Sequence, residues 1–309
     1  MKRWHLFGIL AIGALAFVAF WTLWDTQTRE EPIVIAIQPT QNPAAILERA
    51  QQLKEYLAGK LGRPVEVYVP TSYSAVIEGL RYGNVHAAMM GSWPSAIAVR
   101  VADAEVYLAE VRTVAIDGRR VEGTFYFSYW IVRQDSPYAG LGDLRGERVC
   151  FPSPISSSGY LAPLARMVEL GLLTRRDDKP VDPKEFFSEV YFGGGYQQCY
   201  EALMAGNVDV TVTAGDVAYD LYQKVMATTK VIEQQGPLPS HTLVVSRRLD
   251  PRTRELLVSA FEELGREEHR DLMRRLVSGL FVGWERKGSA DHLASLQRFI
   301  ELTGLGYDA

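Results

Sequence analysis

The chain has 309 residues, 47% of them hydrophobic and 23% charged, the make-up of a globular protein with one large or two medium domains. A net charge of -4 and the lack of a basic stripe speak against a nucleic-acid partner. Two cysteines exclude a disulfide scaffold but leave room for one bridge.

Lys2 and Arg3 precede an apolar run over residues 6–24 that only Thr22 interrupts. Its length is close to the roughly 20 residues that span a bilayer. The run ends on Trp21 and Trp24, which are bulky, and the small triplet Ala14-Leu15-Ala16 lies inside it. Residues 1–24 therefore read as an uncleaved membrane anchor, with a cleaved signal peptide as the alternative. Basic residues on the N-terminal side place that end in the cytoplasm and the rest of the chain outside it. Residues 25–32 are polar and read as a tether.

Residues 33–37 are predicted as a buried strand. Asn42 caps a helix whose first position is Pro43 and whose apolar face is Ile46, Ala50, Leu53, Leu57 and Leu61. A strand over 65–69, a helix over 74–82 and a strand over 86–90 follow, and the turn Gly91-Ser92-Trp93-Pro94 leads into another helix. Repeated β-α-β units predict a parallel sheet with ligands at the carboxyl ends of its strands. Strands over 105–115 and 125–133 flank a hairpin-like turn at 116–119. Residues 136–146 are turn-rich and open a second lobe.

The stretch at 149–161 organises that lobe. Residues 147–151 read as a strand, and Pro152 and Pro154 end it. Ser156, Ser157 and Ser158 then start a helix, with Gly159 allowing close backbone approach. Free N–H groups, the positive end of a helix dipole and three hydroxyls suit a small oxyanion. A strand over 189–192, Gly193-Gly194-Gly195, a helix over 196–205 and a strand over 209–213 come next. Asp216 is read as capping a helix to about 227. A strand over 241–246 returns the chain to the first lobe, and helices follow over 251–264, 269–280 and 290–302.

Tyr73-Ser74-Ala75-Val76-Ile77-Glu78-Gly79-Leu80, Gly91-Ser92-Trp93-Pro94-Ser95, Leu144-Arg145-Gly146, Ser156-Ser157-Ser158-Gly159-Tyr160-Leu161, Phe192-Gly193-Gly194-Gly195-Tyr196 and Gly206-Asn207-Val208-Asp209-Val210 carry a resemblance. In that order and spacing, the chain resembles the periplasmic substrate-binding proteins of phosphate, phosphite and phosphonate ABC transporters, from residue 33 to about 300. The resemblance implies a type II periplasmic-binding-protein fold: an α/β chain in two lobes, each a mostly parallel sheet flanked by helices, with the ligand cleft between them. Lobe 1 would comprise 33–125 and 236–309, and lobe 2 would comprise 126–235. Carried over by position, the ligand contacts would be Tyr73, Ser92, Trp93 and Ser95 on the first lobe and Ser156, Ser157, Ser158, Tyr196 and Asp216 on the second. Tyr196 stands where the family usually has a histidine, which exchanges a titratable donor for a neutral one.

The implied role is capture of a small oxyanion and delivery to an ABC permease at the extracytoplasmic face, by a monomer that needs no cofactor and is no enzyme. The alternative is a ligand sensor that docks on the periplasmic domain of a sensor kinase, with an arsenite, selenium or sulfur oxyanion, or an organic ligand stacked on Trp93. Cys150 and Cys199 fall on neighbouring elements of one lobe, and both a disulfide and two buried free thiols fit there. The five histidines show no metal spacing. No G-x-S-x-G elbow is present, and the triple glycine lacks the lysine and serine of a P-loop.

Overall fold

Two sheets, each flanked by helices, make up the chain. In this computed structural model the described residues are 31–40, 42–116, 119–176, 179–215 and 217–306. The apolar run at 6–24 lies outside them, as does Asp216. Among the described residues no helix is long and apolar enough to cross a membrane.

The first sheet begins with three parallel strands, β1 (Ile33–Ile37), β2 (Val65–Tyr68) and β3 (Ala87–Met90), with β1 in the middle. β11 (Thr242–Ser246), β4 (Ala104–Ile116) and β12 (Phe281–Arg286) extend it beyond β3 through antiparallel pairs. The second sheet runs β10 (Thr229–Pro239), β6 (Phe125–Arg133), β9 (Val210–Ala214), β7 (Arg148–Phe151) and β8 (Glu189–Phe192). Its β9, β7 and β8 are parallel, while β6 is antiparallel to both β9 and β10. The expected parallel pairing thus holds for three strands in each sheet. The strands that carry the chain between sheets add the antiparallel ones.

Local chemistry sets the helices. In α1 (Pro43–Leu61) the Asn42 side chain accepts from the Ala44 N–H, and Gly62 closes the last turn at a φ of 65°, where a Cβ would be strained. Ile46, Ala50, Leu53 and Leu57 recur at helical spacing and are buried against the outer face of the first sheet. α7 (Pro251–Leu264) and α8 (Arg270–Leu276) share that apolar layer through Leu257, Phe261 and Met273. The opposite face carries α2 (Tyr73–Tyr82) and α3 (Ser92–Val101). Its core runs on without a break into the second sheet and its helices α4 (Ala162–Glu169), α5 (Tyr196–Met204) and α6 (Tyr219–Thr228). The described residues from Ile33 onward form one compact unit.

Several elements differ from the sequence reading. The hairpin partner of β4 is β5 (Arg119–Gly123), not the strand at 125–133, which crosses to the other sheet. β5 is short, charged and largely exposed, so it lacks the alternation that marks a half-buried strand. β10 was not anticipated either, because Gly236-Pro237 interrupts it, and an edge strand tolerates this. The helix expected to run to 280 stops at Leu276, and β12 begins at Phe281. Here Ser278 and Gly279 bond instead to the Gly215 and Val217 carbonyls beyond β9. α6 begins at Tyr219, later than expected. The C-terminal helix is split into α9 (Ser289–Leu293) and α10 (Leu296–Thr303). α9 packs on α3 and β4 in the first lobe, but α10 packs on α4 and the serine turn in the second. The Val181 N–H donates to the Thr303 carbonyl and Arg175 to the Glu301 carbonyl, which fixes α10 there.

Where the chain crosses between sheets, Glu110 and Arg112 are fully buried and joined at 2.6 Å, and the guanidinium lies 4.1 Å from the Tyr126 ring centre. His241 lies 3.8 Å from the Glu110 carboxylate. Beside this cluster His292, only 4% exposed, contacts the Ser240 carbonyl through Nε2 at 3.0 Å, so the neutral ring carries its proton there and donates. Burial holds its pKa down at about 4 from the ordinary 6.5. The unfolded chain therefore binds the proton first, and stability falls as pH drops from about 6.5 towards 4. At pH 4.5 the loss is about 2–3 kcal/mol. Urea unfolding at pH 7 and 4.5 is expected to show a smaller acid loss in His292→Gln than in the parent chain. Equal losses would show that His292 is not responsible.

Candidate ligand-binding site

The carboxyl ends of β1, β3 and β7, together with the glycine loop after β8, meet in the groove between the sheets. Four helix starts point into this region: α2 after Ser72, α3 after Gly91, the turn leading to α4, and α5 after Gly195. Each leaves backbone N–H groups without an intrahelical partner and carries partial positive charge.

The serine turn is a wider coil than an α-helical start. Ser157–Leu161 is a π-helical turn in which the Leu161 N–H reaches the Ser156 carbonyl at 3.0 Å, and α4 begins at Ala162. The Ser156 hydroxyl accepts from the Gly159 N–H at 3.0 Å. The Ser157 hydroxyl reaches across the groove and accepts from the backbone N–H of Trp93 at 2.8 Å. The Ser158 hydroxyl pairs with the Tyr196 phenol at 2.6 Å, and Ser156 is 3.3 Å from the same phenol. A hydroxyl that accepts in this way still has its own hydrogen to donate, so the Ser157 oxygen is held with a donor to spare. Gly159 is required by this closeness, since a Cβ there would overlap Pro152, and a Cβ on Gly91 would press on the Ser157 oxygen at 3.2 Å.

From the first lobe, the Gly91 N–H donates to the side chain of Gln38 at 3.0 Å, and the Thr40 carbonyl accepts from the Tyr196 N–H at 3.1 Å. Gln38 is 4% exposed and orients the turn into α3. Nothing in the sequence motifs marks it, but its place directly after a parallel strand is where such folds bind ligands. Ser92 is fully buried at the start of α3, and its hydroxyl has no hydrogen-bond partner among the described residues. Hydrogen bonds bring the buried residues Trp93, Ser156, Ser157, Ser158 and Tyr196 together here, with Ser92 beside Trp93, and Tyr73 is buried at the first position of α2.

Two residues take other roles. Ser95 donates its hydroxyl hydrogen to the Gly91 carbonyl and accepts from the Thr242 hydroxyl, which ties α3 to β11. The Trp93 indole is buried and donates to the Gly306 carbonyl at 3.2 Å, so it is a wall of the groove and not an open face for stacking. Cys150 and Cys199 are disulfide-bonded with their Cα atoms 5.4 Å apart. The bridge lies under Gly193, where a Cβ would meet both sulfurs, and it ties the first turn of α5 to β7. Among the described residues no group of three or more His, Cys, Asp or Glu could hold a metal ion.

Residues 35–286 match the family described as ABC transporter, phosphonate, periplasmic substrate-binding protein. The chain belongs to that family. It is 30% identical over 180 residues to the phosphate-import protein PhnD of Mycolicibacterium smegmatis, covering 58% of this chain and 54% of that one. It is 28% identical over 162 residues to the phosphonates-binding periplasmic protein of Escherichia coli, covering 49% and 46%. The chain thus spans about half the length of the curated relatives it matches. A binding-protein component of an ABC phosphonate transporter from Pseudomonas aeruginosa has the same fold, with a TM-score of 0.72 at 20% identity over 91% of this chain and 90% of that one.

The disulfide generates a direct expectation. Closing a loop of 49 residues is worth about 4 kcal/mol in the chain-entropy account. Cys150→Ser with Cys199→Ser is expected to lower thermal stability and, by loosening the start of α5, to weaken ligand binding. Unfolded but unreduced protein is expected to take up no alkylating reagent, and immediate uptake at both positions would contradict the bridge.

Proposed function

We propose that this protein is an extracytoplasmic solute-binding component that closes its two lobes on a small phosphate-, phosphite- or phosphonate-like oxyanion and delivers it to an ABC permease. The supporting observation is the groove contact itself, where the Ser157 hydroxyl meets the Trp93 N–H. That contact draws helix starts of both lobes to one place, and an anion that engages both is held only when they are together. The bond network named at the seat consists of hydroxyls and backbone amides without a cationic side chain. Hydrogen bonds of this kind to a charged group are worth about 1.5–3 kcal/mol each, so three or four support a dissociation constant of about 1 μM after binding costs. Binding and transfer need no covalent chemistry, and the proposed role is not that of an enzyme. A monomer held at the outer face of the membrane by residues 6–24 completes the reading.

Calorimetry of the soluble part against phosphate, phosphite, methylphosphonate and sulfate tests this. At least one phosphorus oxyanion is expected to bind at about 1 μM, and Ser157→Ala is expected to weaken it by about tenfold, or 1.4 kcal/mol. Ser259→Ala, on the outer helix α7, is expected to change nothing. Failure of every oxyanion to bind below about 1 mM, or unchanged affinity in Ser156→Ala, Ser157→Ala and Ser158→Ala alike, would overturn the assignment.

A further inference from the structure

A second cavity, of about 360 Å³, lies at the junction of the sheets and is lined by β4, β5, β6, α6 and α8. Its volume falls within the range of small-molecule sites. Its aromatic lining is Phe127, Tyr129, Tyr219 and Tyr222, with the fully buried Tyr126 behind them, and two guanidiniums, Arg120 and Arg274, also line it. No carboxylate is among the described lining residues. Arg120 makes no hydrogen bond or ion pair among the described residues. Arg274 uses Nε on the Phe281 carbonyl at 2.9 Å, which leaves its two terminal nitrogens facing outward from that bond. Burial holds both the Tyr129 and Tyr222 phenols above their ordinary range, Tyr222 at about 12, so both remain neutral donors.

We propose that this cavity is a second binding site, separate from the oxyanion seat, for a small aromatic anion. Flat π faces match a planar ring, and a guanidinium pairs with a carboxylate or sulfonate, which it holds in two parallel bonds. The walls come from both sheets and their helices: Thr113 on β4, Arg120 on β5 and Arg274 on α8 from the first side, Tyr129 on β6 and Tyr222 on α6 from the second. Tyr126 also packs against Arg112 where the chain crosses between the sheets. Any lobe movement changes the distance between these walls. An occupant that prefers one arrangement therefore shifts the lobes towards it, and it and the ligand of the oxyanion seat change each other's affinity by one and the same factor.

The probe is 1-naphthalenesulfonate, titrated by fluorescence into the folded soluble part, with the neutral 1-naphthalenemethanol as its partner. Binding of the sulfonate below about 1 mM is expected, weakened about tenfold in Arg120→Gln and in Tyr222→Ala. The neutral compound is expected to lose affinity only in Tyr222→Ala. Arg120→Gln alters an exposed residue of β5 and leaves the fold intact, which circular dichroism checks. Ser157→Ala is expected to leave sulfonate binding in place, which separates this site from the oxyanion seat. No sulfonate binding, equal binding in Arg120→Gln and the parent, or loss of sulfonate binding in Ser157→Ala would each overturn the proposal, whatever the oxyanion titrations show.

Discussion

Two backbone N–H groups at helix starts must find partners in a buried groove, and both find them on the opposite lobe. The Trp93 N–H is held by the Ser157 hydroxyl and the Tyr196 N–H by the Thr40 carbonyl. A buried N–H left without a partner costs about 1–3 kcal/mol, so these contacts bias the two lobes towards each other. Much of the rest of the architecture serves to bring those helix starts into register. Parallel strands in each sheet aim α2, α3, α4 and α5 at the groove with the same end. The disulfide under Gly193 and the Gln38 side chain then fix the two loops that carry the contacts.

The lobes are joined by more than the crossing strands. One apolar core runs from α2 and α3 into the second lobe, and α10 lies on α4 and the serine turn after α9 has packed on α3. The segment after α9 is thus a further connection, and its Gly306 carbonyl accepts from the Trp93 indole near the seat. At the crossing itself Arg112, Glu110 and Tyr126 are packed without solvent. A buried ion pair adds little net stability but is costly to break, so it resists alternative arrangements of these strands.

Much of this was legible from local chemistry. Asn42-Pro43, Gly62 and the spacing of Ile46, Ala50, Leu53 and Leu57 define α1 with no reference to the rest of the chain. The prolines and serines at 152–158 likewise mark the end of a strand and the start of a helix, although the π-helical turn has no sequence signature. What was not legible is non-local. β5 and β10 are polar or interrupted because they lie at edges or cross between lobes. No local signal shows that Ser157 is only 2% exposed, because its cross-groove partner, the Trp93 N–H, lies 64 positions away. Gln38 and the burial of Trp93 depend on the same approach of two distant segments.

The most direct test is amide hydrogen exchange at Trp93 and Tyr196, followed residue by residue as the tightest oxyanion is titrated in. If the anion is seated between the lobes, both amides are protected in step with the calorimetric saturation. Amides on the outer face of α1, such as those of Gln51 and Glu55, remain as they were. Full saturation with no change in exchange at Trp93 and Tyr196 would mean that the ligand is held elsewhere and that these cross-groove bonds play no part in its capture.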